Sequence, residues 1–136
     1  MFGLFKNKDK QKPTTSAKIS EPTLTEEEKA SLLKEVEALR TQAEATNDSD
    51  KEAKAKLYEK IGLKQAELTQ NEEAITSLEK SLEYKLSIGD GYKKLMNLYN
   101  AKRAESARSG NDEGIEYYMN KMDDMRQIAK KVTTSR

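Results

Sequence analysis

The chain contains no cysteine, no histidine and no tryptophan. Without thiols there is no disulfide, no Cys nucleophile and no thiolate metal site, and without imidazole the usual zinc sets and serine triads are also ruled out. The sequence contains no D-x-D-x-D-G loop, no GxxxxGK[ST] and no GxGxxG, so carboxylate-bound calcium and cradled phosphate lack their usual frameworks. On these absences the chain is not expected to be an enzyme, and neither a cofactor nor a metal is expected. No run of 18 apolar residues is present to cross a bilayer. The apolar start Met1–Phe5 is shorter than a signal-peptide core, and its lysines follow it instead of preceding it, so a cytoplasmic protein is expected.

What the chain does have is charge and helix formers. Charged residues make up 36% of its 136 positions and hydrophobic ones 35%, which suits one modest domain with solvated helical faces better than a deep cavity. The net charge of +1 conceals segregation. Residues 1–20 carry five Lys against one Asp, residues 21–50 carry three basic against nine acidic residues, and the remainder is nearly balanced. That distribution lacks the broad basic field of a nucleic-acid binder, so nucleic acid is not an expected partner.

Residues 1–23 hold both prolines and scattered Ser and Thr with no apolar period, which reads as a disordered basic arm. Its first residues differ. Phe2, Leu4 and Phe5 precede Lys6 and Lys8, an apolar plug beside cations that suits weak contact with an anionic membrane surface. This makes membrane-peripheral attachment, or self-assembly through the same segment, the alternative function.

Five helices are predicted, an all-α fold. The first, over 24–46, opens with a capping box of Thr25 and Glu28 and carries Leu32, Val36, Leu39 and Ala43 on one face. The second starts from a Ser49–Glu52 capping box and runs to about Thr69 with Leu57, Tyr58, Ile61 and Leu68. The third, N-capped by Asn71, carries Ala74, Ile75, Leu78, Leu82 and Leu86. Ser87–Gly91, SIGDG, reads as a turn; its glycines lack the spacing of a phosphate loop. The fourth helix spans about Tyr92–Arg108, with Leu95, Leu98 and Tyr99 apolar and a row of Ala101, Ala104 and Ala107 that predicts close approach by a neighbour. Gly110 suits the left-handed residue ending it. The fifth begins near Asn111–Glu113 and presents Ile115, Tyr118, Met122, Met125, Ala129 and Val132, and Met119, Met122 and Met125 read as core filling.

The stretch NEEAITSLEKSLEYK at Asn71–Lys85 is echoed 40 residues later by NDEGIEYYMNKMDDM at Asn111–Met125. Each copy follows a helical stretch, which predicts two antiparallel hairpins, 51–86 and 91–132, within 51–134. The first hairpin resembles a tetratricopeptide repeat, a helix–turn–helix unit of about 34 residues. Tyr58, Ile61, Gly62, Ala74, Leu78 and Ser81 fit six of its eight signature positions, while Gln65 replaces the usual aromatic and Leu86 the usual proline. The second hairpin keeps Leu98, Ala101, Gly114 and Tyr118 but has Lys102, Glu105 and Lys121 where small or apolar residues belong. An ordinary five-helix bundle would produce the same amphipathic spacing.

The resemblance implies a short solenoid whose first helices line a concave face that binds a peptide or protein partner. On this sequence the face would comprise Lys56, Glu59 and Leu63 from the first hairpin, then Met96, Tyr99 and Arg103 from the second, with Arg103 recognising a carboxylate. Two repeats are fewer than the roughly three that normally bury a continuous core. Either the helix over 24–46 acts as a cap or a second copy of the chain completes the stack.

Overall fold

A computed structural model describes residues 23–134. The expected arm and its membrane-contact residues Phe2, Leu4, Phe5, Lys6 and Lys8 lie outside that range. The described residues form five α-helices and no strand: α1 (Glu26–Ala45), α2 (Lys51–Glu67), α3 (Asn71–Tyr84), α4 (Asp90–Arg108) and α5 (Asp112–Thr134). Of the described residues, 23–30 fall in one unit. There Thr25 Oγ1 accepts from the Glu28 amide (3.0 Å) and Glu28 Oε1 accepts from the Thr25 amide (2.9 Å), the reciprocal box that starts α1.

From Ser31 onward the helices form a second unit. The pairs α2–α3 and α4–α5 are antiparallel hairpins, and α4 packs against both α2 and α3. Val36, Ala43 and Ile61 form one apolar cluster with Leu39, Leu57, Tyr58 and Leu68 around them. The larger cluster holds Ala74, Leu78, Leu82, Leu95, Leu98, Tyr99 and Met125, flanked by Tyr118, Met122 and Ile128. Ile61, Leu78 and Leu95 are fully buried, each contributing roughly 1.5–3 kcal/mol of transfer free energy.

The two hairpin turns share one geometry. After α2, the Gln70 amide donates to the Gln65 carbonyl (2.9 Å) and Thr69 takes φ 58°. After α4, the Asn111 amide donates to the Ser106 carbonyl (2.8 Å) and Gly110 takes φ 70°. Both satisfy the last helical carbonyls by a left-handed residue and a six-residue hydrogen-bonded closure. The predicted role of Gly110 is therefore met, and Thr69 does the same work with a β-branched side chain in a region that disfavours it.

Several boundaries differ from expectation. Ser49 does not cap α2, because its amide and hydroxyl both bond Asn47 Oδ1; Asp50 caps instead, accepting from the Ala53 amide (3.3 Å). Asn71 is the first residue of α3, with Gln70 at the cap and no side-chain cap bond. The third helix stops at Tyr84, where Lys85 turns extended, so Leu86 lies beyond it and is exposed. The row Ala101, Ala104 and Ala107 admits no neighbour: Ala101 and Ala107 are exposed and Ala104 half-buried, since Leu98, Tyr99 and Ser106 take the inward positions. Of the methionines read as core, Met125 is buried and Met122 half-buried, but Met119 is 53% exposed.

Candidate functional site

The six residues expected on a concave face do not converge. Lys56 is exposed and pairs with Glu52 at 3.8 Å, one turn back on α2. Glu59 turns toward the start of α4, where its Oε2 accepts from the Gly91 amide at 2.7 Å. Gly91 lets the carboxylate come close: a Cβ there would lie 2.7 Å from that oxygen and oblige the Glu59 side chain to shift. Glu59 thus serves as an acceptor from another helix at the positive end of α4.

Tyr99 is the clearest correction. It is 3% exposed, within the larger apolar cluster, and its hydroxyl donates to Glu79 of α3. Burial first, then the hydrogen bond to that carboxylate, pushes the phenol well above its ordinary value. Tyr99 is a core residue and offers no surface to a partner. Met96 is half-buried against the same cluster. Arg103 is half-buried with Nε donating to Asn100 Oδ1 (3.1 Å), and looks toward α5.

Lys56 and Glu59 line a small recess beside Ser81 and Lys85, and Leu63 lines a different, wider one. With Ala38 and Leu39 of α1 it makes the apolar floor of a cleft of about 670 Å³ between α1 and α2. Glu35, Lys60, Lys64 and Glu67 rim the cleft, and Lys64 meets Glu35 at 2.6 Å across it. Charges of both signs over a small apolar floor are the chemistry of a peptide contact more than of an enclosed small-molecule pocket.

Another recess lies between α4 and α5, a groove of about 240 Å³ lined by Arg103, Met119, Asn120, Met122, Asp123 and Arg126.

The polar joints that hold these surfaces in place were less visible in the sequence. Gln65 is fully buried. With its amide nitrogen donating to Ser77 Oγ (2.6 Å) and the Glu73 carbonyl (3.0 Å), its oxygen accepts from Arg40 (3.0 Å), linking α1, α2 and α3. Ser81 Oγ donates to the Ala55 carbonyl (2.7 Å) at the open end of the hairpin. Nearby, Asp48 meets Lys54 at 2.8 Å; the hydrogen bond lowers the carboxyl from its ordinary value and raises the amine. Lys102 pairs with Glu72 of α3 at 3.2 Å, and that bond raises its pKa. The Tyr58 and Tyr84 rings stack at 5.9 Å, with Lys80 over Tyr58 and Lys54 over Tyr84.

Among the described residues no group of three acidic, His or Cys side chains is placed to hold a metal ion, and no helix is long and apolar enough to cross a membrane. Compared with models of protein families, with curated proteins and with solved structures, the chain finds no match in any of the three.

Proposed function

We propose that this chain is a non-enzymatic, tetratricopeptide-like scaffold that docks a peptide segment of another protein. The reading rests chiefly on the α1–α2 cleft, whose Ala38, Leu39 and Leu63 floor and mixed-charge rim fit an apolar side chain carried between charged neighbours. Two packing features support the repeat character. One is the lodging of α4 against both helices of the preceding hairpin. The other is the close helix contact at Gly62, where a Cβ would fall 2.6 Å from Leu78 Cγ. Repeats of this sort stack by such nearest-neighbour contacts and leave an extended face for partners. Lys60 and Lys64 on the rim supply the cations toward the same partner.

The test uses the intact chain and a Leu63→Glu, Lys60→Glu variant as baits in native cell extract. A peptide from any prey captured by the wild type is then titrated against both proteins by fluorescence anisotropy. The expected result is binding weakened by about tenfold or more in the variant, the loss of roughly 1.4 kcal/mol or more for a contact at the centre of an interface, with circular dichroism unchanged. Equal affinity for both proteins removes the cleft from the function.

A further inference from the structure

The molecule itself shows what the end of a hairpin accepts. Leaving α3, the chain turns back through residues 85–89 and lays α4 antiparallel along α3. Ile75 and Leu82 give this seat its apolar surface, while Glu79 and Glu72 receive Tyr99 and Lys102.

Moved 40 residues along the internal echo, the seat falls on the groove between α4 and α5. Ile75 becomes Ile115, Leu82 becomes Met122, Glu79 becomes Met119 and Glu72 becomes Asp112, while Arg103 and Arg126 flank the groove. No described residue covers this second seat, and Met119 stands 53% exposed in it. A fitting occupant is a helix antiparallel to α5, apolar at its middle, with a carboxylate facing Arg126.

We propose that the occupant is α5 of a second copy of this chain, paired antiparallel in a two-fold dimer. Along the exposed stripe of α5 the order is Glu116, then Met119, then Asp123 and Arg126, spaced so that all four share one face. Reversed against itself, this stripe sets Glu116 of each copy opposite Arg126 of the other and Met119 of each opposite Asp123 of the other, on either side of the two-fold axis. A parallel pairing would instead set Glu116 against Glu116 and Arg126 against Arg126. The pattern is therefore self-complementary in one orientation alone, as an isologous interface requires. Asp123 is already neutralised by Arg126 on its own helix at 3.0 Å, a bond that leaves other guanidinium donors for the opposite Glu116. Two hairpins become four stacked ones, past the roughly three that a continuous repeat core needs. This surface is separate from the α1–α2 cleft, so the dimer stands or falls independently of the peptide-docking function.

The experiment is sedimentation equilibrium on the full chain with three samples: wild type, Glu116→Arg and Arg126→Glu, followed by the two variants mixed in equal amounts. Wild type is expected to approach the mass of two chains as concentration rises. Each variant is expected to stay a monomer, because every 116–126 contact then joins like charges. The mixture is expected to dimerise again. In it the introduced cation at position 116 of one variant meets the introduced carboxylate at position 126 of the other, and the unchanged Arg126 of the first meets the unchanged Glu116 of the second. Both positions are exposed, so each variant is expected to remain helical, which circular dichroism checks. A wild type monomeric at every concentration, dimers that survive both substitutions, or a mixture that fails to associate would each overturn the pairing.

Discussion

Gly62 sits inside α2, where helix propensity alone favours alanine by about 1 kcal/mol. The environment reverses that preference. An added methyl would lie 2.6 and 2.7 Å from the branch of fully buried Leu78 and 3.2 Å from the Ala74 carbonyl, so α3 would have to move away. Gly62→Ala should therefore cost about 1–2 kcal/mol net, overpacking outweighing the propensity gain, as read from urea unfolding. Tyr99 carries a second residue-scale prediction. Tyr99→Phe keeps the ring in the core but leaves Glu79 with only Lys121 nearby, at 3.5 Å, and should cost about 1 kcal/mol at neutral pH. The phenol's folded pKa lies above its unfolded value of 10.0, so the stability it adds is complete below pH 10 and is lost as pH rises beyond. The gap between wild type and Tyr99→Phe should accordingly narrow above pH 10 in urea titrations.

At the scale of the helices, the two turns are a natural controlled comparison. Gly110 and Thr69 occupy the same left-handed position, one in a residue without a Cβ and the other in a β-branched one. Thr69→Gly should relieve that strain and raise stability by about 0.5–1 kcal/mol, after subtracting the greater freedom glycine gives the unfolded chain. A melting temperature unchanged or lowered would show that Thr69 is held by something other than the turn. The helices themselves were legible because their apolar residues recur at helical spacing, and so was the Gly110 stop. The caps were harder. Ser49 and Asp50 are both good cap residues, and only the prior engagement of Ser49 with Asn47 decides for Asp50. The orientation of α4 was legible too: Leu95, Leu98, Tyr99 and Ser106 fall on one side at helical spacing and, with Gly91, are the residues buried. The family-derived face placed Tyr99 outward against that period, and the period prevailed. Gln65 had no such signal, since a lone glutamine within a helix reads as surface until three other groups are seen to surround it.

For the whole molecule, the consequence of pairing through α5 is a stability that depends on protein concentration, because a partner that binds only the folded chain shifts unfolding by mass action. The sequence echo was visible, yet the site it implies was not. The open seat becomes apparent only once α4 is seen filling the corresponding place one hairpin earlier. The α1–α2 cleft was legible only through Leu63, because the rest of its lining includes Glu35, Ala38, Leu39 and Gln42 of α1, a helix the family resemblance does not cover.

That each hairpin packs on the one next to it in sequence, with α4 reaching back no further than α2, also sets how the chain acquires its structure. Loops closed early are short, and domains of this kind fold in roughly microseconds to milliseconds. During synthesis α1–α3 can gather Ile61 with Val36 and Ala43 before α5 has left the ribosome, while the cluster around Leu78 is completed by Leu95, Leu98, Tyr99 and Met125 of the second hairpin. The first hairpin is thus a template that the second one finishes.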